Sequence, residues 1–126
     1  MNSTFLFLAV SILFASSAQL LVKKGALLLG KLEFSLENIF GVILHILKNF
    51  YIMSGLFCLG LSFLLWIFIV SKKQLNIVYP ISSSLTIVLV VIFSWFLFSE
   101  NLSLWQISGI LLVILGIFLL SFKTAF

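Results

Sequence analysis

FYIMSGLFCLGLSFLLWIFIV, from Phe50 to Val70, decides the fold. It contains no charged side chain, and as a helix rising about 1.5 Å per residue it crosses roughly 30 Å of hydrocarbon. Lipid offers the backbone no hydrogen-bond partner, so the stretch must satisfy its own amides, which a helix does. It ends at Ser71-Lys72-Lys73, where ammonium groups can reach lipid headgroups.

Working outward, three more stretches have the same character. The first runs from about Ser3 to Val22 and ends at Lys23-Lys24-Gly25. The third runs from about Ile77 to Phe98, and the fourth from about Leu104 to Phe122, followed by Lys123. The fold class is therefore an all-α integral membrane protein, with residues 1–126 forming one domain of four transmembrane helices. Composition requires the same: 63% of the 126 residues are hydrophobic and 8% charged, more apolar surface than a soluble domain this small can hide. The first stretch has no basic segment before it and is long enough to span, so it is expected to be a span rather than a cleaved leader. The short connections after spans two and three make those helices antiparallel neighbours.

The formal net charge of +4 comes from seven Lys against three Glu. In a soluble protein this balance would suggest nucleic acid. Here the lysines sit at span ends and anchor to anionic headgroups, and no nucleic-acid partner is expected. Cys58 is the sole cysteine, so no intramolecular disulfide exists.

The connection between spans one and two is too polar to cross a membrane. Residues 35–48 read as an amphipathic helix that lies in the interface or extends the second span, with Ser35 as N-cap and Glu37 in the first turn. Glu37, Gly41, His45 and Lys48 form its polar stripe, while Leu36, Ile39, Phe40, Ile43 and Leu47 fill the rest. His45 on that stripe is expected to face headgroups, with a pH-sensitive ligand contact as the alternative. Orientation is weakly specified: Lys23, Lys24, Lys31 and Lys48 on one side face Lys72, Lys73 and Lys123 on the other. Such a near-tie suits either dual insertion or a subunit oriented by a partner.

Polar positions inside the spans carry the functional signal, because polar groups in a bilayer face protein or an aqueous path. Ser11, Ala15, Gln19 and Lys23 recur at steps of four, as do Ser54, Cys58, Ser62 and Trp66. Span three opens with Tyr79-Pro80, then Ser82, Ser83, Ser84 and Thr86, and the proline is expected in its first turn. Gln19, Tyr79 and the serine cluster line a polar pocket, or the small residues serve helix packing. In span four Gly109 and Gly116 share a face with Leu112 and Val113, suited either to a dimer interface or to packing within the chain. The carboxylates Glu33, Glu37 and Glu100 all fall between spans, so no acidic side chain lies in the membrane to exchange a proton.

These residues resemble the small multidrug resistance group of the drug/metabolite transporter superfamily. The resemblance rests on Ala18-Gln19 through Lys23-Lys24-Gly25-Ala26, on Asn76-Ile77-Val78-Tyr79-Pro80, and on Ser99-Glu100-Asn101-Leu102-Ser103 through Gln106 and Gly109 to Gly116. The glycine spacing is similar to the face by which proteins of that group pair. The drug-exporting branch, however, has a glutamate where this chain has a position near Ala15, and a tryptophan and glycines where it has Ser82, Ser84 and Thr86. The Ala-Gln-to-Lys pattern, the Tyr-Pro pair and Trp66 resemble instead the subunits proposed to flip aminoarabinose-phosphoundecaprenol.

That resemblance implies an inner-membrane flippase, or flippase subunit, for a polyprenyl-phosphate-linked sugar or similar anionic lipid. Gln19, Tyr79, Trp66 and Ser82 to Ser84 would contact the headgroup, and Lys23 or Lys24 would attract its phosphate. The partner would be membrane lipid together with an identical or similar four-span subunit. Two alternatives stand beside this reading: a proton-coupled exporter of small polar or cationic molecules, and a non-transporting accessory subunit of a membrane glycosyltransferase. No enzyme activity, metal or cofactor is expected, since the chain has no paired intramembrane carboxylates, His/Cys cluster or phosphate-binding glycine loop.

Overall fold

The computed structural model describes residues 2–122, which form five helices; Lys123, assigned above to the second membrane side, lies outside them. In chain order these are α1 (Asn2–Leu29), α2 (Ile39–Lys48), α3 (Phe50–Val70), α4 (Leu75–Phe98) and α5 (Leu104–Phe122). All but α2 are long and apolar enough to cross a membrane.

α1 runs well past Val22. Lys23, Lys24, Ala26 and the leucines after them favour helix, so the lysines ride on its flank rather than ending it. It stops at Gly30, whose φ of +74° is the left-handed turn that commonly ends a helix. α2 starts later than expected: the Asn38 amide donates to the Ser35 carbonyl at 3.1 Å, making 35–38 a turn instead of a first helical turn. Ser35 is therefore not the N-cap; Asn38 holds that position, without a side-chain cap bond.

Asn49 separates α2 from α3 and ties α3 to α1. Its backbone is extended, its Oδ1 accepts from the Tyr51 and Ile52 amides at 3.0 and 3.3 Å, and its Nδ2 donates to the Gly25 carbonyl at 3.1 Å. One side chain thus caps α3 and docks it on α1. α4 begins at Leu75, which places Pro80 beyond the first turn, inside the helix. The proline removes the amide that would have reached the Asn76 carbonyl, close to the helix end, where polar headgroups and water can replace it. At the start of α5 the Ser103 amide donates to Gln106 Oε1 at 2.9 Å and the Gln106 amide to Ser103 Oγ at 3.2 Å, a reciprocal capping box.

α1 is the spine of the bundle. It packs most extensively on α3 and also on α4, while α5 rests on α4 and α2 on α3. α1 and α3 run antiparallel along a seam of small residues at steps of seven: Thr4, Ser11, Ala18 and Gly25 on one, Ser62 and Gly55 on the other. A Cβ on Gly55 would lie 3.0 Å from the Ala18 carbonyl oxygen, so the backbones approach closely there. In lipid, with no hydrophobic drive between helices, such close packing holds spans together. The buried core of Leu8, Ile12, Ile69 and Val78, flanked by Phe7, Trp66 and Leu89, closes the other end. α3 and α4, although joined by a short turn, each pack chiefly on α1.

Candidate functional site

A cavity of about 540 Å³ lies over α1 between α3 and α4. α1 contributes Ser11 and Gln19, α3 contributes Ser62 and Trp66, and α4 contributes Tyr79, Ser82, Ser83 and Thr86; Leu59, Phe63 and Ile87 supply apolar wall. Trp66 meets Tyr79 edge to face, with ring centroids 6.1 Å apart. The α4 residues recur at three- and four-residue steps, which put them on one helical face.

The polar groups divide into occupied and available. Ser11 Oγ donates to the Ser62 carbonyl at 3.1 Å, and Ser62 Oγ donates to the Ser11 carbonyl at 2.9 Å. Thr86 Oγ1 donates to the Ser82 carbonyl at 2.8 Å. Among the described residues, the Gln19 amide and the Ser82 and Ser83 hydroxyls make no such bond, so they remain available to a ligand.

Gln19 also lines a second cavity, of about 260 Å³, with Leu20, Lys23, Val90, Ser94, Phe98 and Glu100. Lys23 Nζ lies 3.0 Å from Glu100 Oε1, and the Ser94 hydroxyl donates to Glu100 Oε2. Glu100 sits in the α4–α5 turn, just after Ser99, whose φ of 53° is left-handed. The Ser94 hydroxyl and then the Lys23 ammonium hold its carboxyl below the usual carboxylate range. The two cavities meet at Gln19 and make a polar track beside α4 from Tyr79 to Ser94, about 22 Å at 1.5 Å per residue.

The structure brings Gln19, Trp66, Tyr79, Ser82 and Ser83 together around one cavity and places Lys23 next to it. Two expected contacts fall elsewhere. Ser84 is half-buried but lines no part of the cavity, because adjacent helical residues point about 100° apart. Lys24 lies 4.9 Å from the centre of the Tyr51 ring and borders a separate apolar groove of about 590 Å³, with Leu20, Leu27, Leu97 and Phe98 in its walls. Ser11, Ser62, Ser94 and Glu100 were not foreseen as lining. Ser11 and Ser62 were visible as polar steps along their spans, whereas nothing local in the sequence places Glu100 against Lys23.

Residues 2–122 match the EamA-like transporter family. The chain belongs to that family. Its four apolar helices make it a multi-pass membrane protein of a transporter family. Among curated relatives, it is 32% identical to the probable 4-amino-4-deoxy-L-arabinose-phosphoundecaprenol flippase subunit ArnF of Aeromonas hydrophila, over 96% of this chain and 81% of that one. It is 33% identical to the probable subunit ArnF of Photorhabdus laumondii, over 89% of this chain and 91% of that one. The probable subunit ArnE of Pseudomonas fluorescens is 32% identical over 60% of this chain and 65% of its own length. No solved structure matches the chain. Among the described residues, no membrane helix carries an acidic side chain.

Proposed function

We propose that the chain is a flippase, or one subunit of a flippase, that moves a polyprenyl-phosphate-linked sugar or a similar anionic lipid across the bacterial inner membrane. The observation that carries this reading is Gln19, shared between a neutral polar cavity and a cavity with a cation. The names of the relatives support the same substrate class. A polyprenyl tail stays in the bilayer while the head follows the track. Gln19, Ser82, Ser83 and Tyr79 hydrogen-bond sugar hydroxyls, Trp66 gives the ring a flat apolar wall, and Lys23 meets the phosphate as a compact point charge. No carboxylate within a membrane helix is needed if the lipid moves down its own gradient; Glu100 stands outside the helices, at the end of the track.

The working unit contains two four-span subunits, identical or similar. α5 supports this, because none of its described residues is buried within the chain. On its outer face a Cβ at Gly109 or Gly116 would meet nothing within 4 Å. Gly109, Leu112, Val113 and Gly116 form the face that the second subunit covers.

The test is transport in proteoliposomes of a fluorescent polyprenyl-phosphate sugar, with the chain alone and with its partner subunit. Headgroup translocation that falls at least tenfold in Gln19→Leu and Lys23→Ala supports the reading. Unchanged translocation in both variants overturns it.

A further inference from the structure

Lys23 is already engaged in this structure. Its ammonium pairs with Glu100 at 3.0 Å, and both side chains are about half exposed, at 47% and 45%. An ion pair so open to solvent contributes little to stability, so its position is the informative feature. It links α1 to the turn between α4 and α5, and α5 otherwise rests on α4. It also stands at the end of the track, in a cavity that Gln19 shares.

The chemistry of the pair is that of an anion site holding an internal anion. A phosphate ester, like a carboxylate, accepts hydrogen bonds and carries negative charge, so the two compete for one ammonium. The Ser94 hydroxyl donates to Glu100 from the same cavity wall and can turn to an incoming phosphate oxygen. A neutral ligand has no charge to exchange with either partner, and a cation would compete for Glu100 instead of for Lys23.

We propose that Glu100 is a displaceable latch: it occupies Lys23 until a ligand phosphate replaces it, and the exchange releases the α4–α5 turn from α1. This rests on the reading of Lys23 as a phosphate contact. Glu100 then has two roles. It selects for ligands anionic enough to displace it, and it couples headgroup arrival to movement of the hairpin that carries the outer face of α5.

The test uses the full chain in nanodiscs, with farnesyl phosphate as probe and farnesol as its uncharged control. Glu100→Gln is expected to tighten farnesyl phosphate binding by up to about fivefold, the upper end for an exposed ion pair, and to leave farnesol unchanged. Adding Lys23→Ala to Glu100→Gln erases the gain. Amide exchange at residues 99–103 rises on adding farnesyl phosphate to the wild-type chain and is already raised in Glu100→Gln. If Lys23→Ala weakens binding but Glu100→Gln does not tighten it, the latch alone is overturned. If Lys23→Ala binds farnesyl phosphate as the wild type does, the phosphate-contact reading falls, and the latch with it.

Discussion

Ser11 and Ser62 each donate a hydroxyl to the other's backbone carbonyl, at 3.1 and 2.9 Å, across the α1–α3 seam. Both are buried, and the exchange joins two membrane helices. Hydrogen bonds between membrane helices are worth about 0.6 kcal/mol on average and up to about 1.7. Ser11→Ala and Ser62→Ala should each destabilise the chain within that range. The double variant should cost less than the sum, because the two hydroxyls also lie 3.1 Å from each other and either single change removes that shared contact. Steric-trap or SDS unfolding in bicelles measures all three, and strict additivity would show that the hydroxyls act independently.

Glycines of one composition divide into two kinds. A Cβ on Gly55 meets the Ala18 carbonyl oxygen at 3.0 Å, whereas one on Gly116 meets nothing within 4 Å. Gly55→Ala should cost about 1–3 kcal/mol, as overpacking does. Gly116→Leu should leave the fold of the single chain intact and weaken subunit pairing. Thermal stability and single-molecule photobleaching in liposomes read the two effects separately. Pairing undiminished in both Gly116→Leu and Gly109→Leu would remove α5 as the contact face.

The spans were legible in the sequence because hydropathy depends on composition alone. Phe50–Val70 and Leu104–Phe122 lie where the apolar runs put them. Ends set by competition were not. Lys23-Lys24-Gly25 reads as a boundary by charge, yet helix propensity carries α1 on to Leu29. The seam at Thr4, Ser11, Ala18 and Gly25 was present as a step of seven, but the step of four through Ser11, Ala15, Gln19 and Lys23 competes with it. One helix bears both, the first against α3 and the second toward the cavities. Gln19, Tyr79 and Ser82 were legible as site candidates because polar groups are conspicuous in an apolar run. Ser84 carries the same signal and lines no part of the cavity, since residue type cannot distinguish neighbours on a helix. The Lys23–Glu100 pair joins residues far apart in the chain through the angle at Ser99, and only tertiary structure reveals it.

Asn49 performs three hydrogen-bonding tasks with one amide, capping two α3 backbone N–H groups and donating to the Gly25 carbonyl. Asn49→Asp keeps the acceptor and removes the donor; Asn49→Ala removes both. The loss for alanine should be about 1–2 kcal/mol, near the upper range of a lost N-cap, and that for aspartate smaller. Amide exchange at Tyr51 and Ile52 separates them: raised for alanine and near wild type for aspartate. Equal protection in the two variants would show that the cap contributes nothing.

Glu100 titrates below the usual carboxylate range because the Ser94 hydroxyl and the Lys23 ammonium favour its charged form. A depressed folded-state pKa means that the stabilising contribution is complete above the unfolded value, about 4.3 for glutamate. It is lost as pH falls through the lower folded value. The turn at 99–103 should therefore stay held to α1 at neutral pH and loosen as pH falls below the unfolded glutamate value. Carbon-13 shifts of the Glu100 carboxyl follow this directly, and Ser94→Ala should move the midpoint upward. A midpoint at or above the free glutamate value in the wild-type chain would rule out the pairing in solution.

Gln19 and Ser84 offer the sharpest contrast for the site. Both are polar side chains in membrane helices, and both were expected to touch substrate. Gln19 lines both cavities and makes no hydrogen bond among the described residues, whereas Ser84 lines neither. Gln19→Leu replaces the amide with a side chain of similar size, so it removes hydrogen bonds to the headgroup with little change in packing. A lost pair of hydrogen bonds to a bound sugar is worth up to about 3 kcal/mol, and a loss above about 1.4 kcal/mol lowers headgroup translocation tenfold or more. Ser84→Ala should leave translocation within a factor of about two, the scale of a surface change of up to 0.5 kcal/mol. Both rates come from one fluorescent-headgroup assay in proteoliposomes, normalised to inserted protein. Equal losses in the two variants would mean that the headgroup passes along a face of α4 other than the one lined by Tyr79, Ser82 and Ser83.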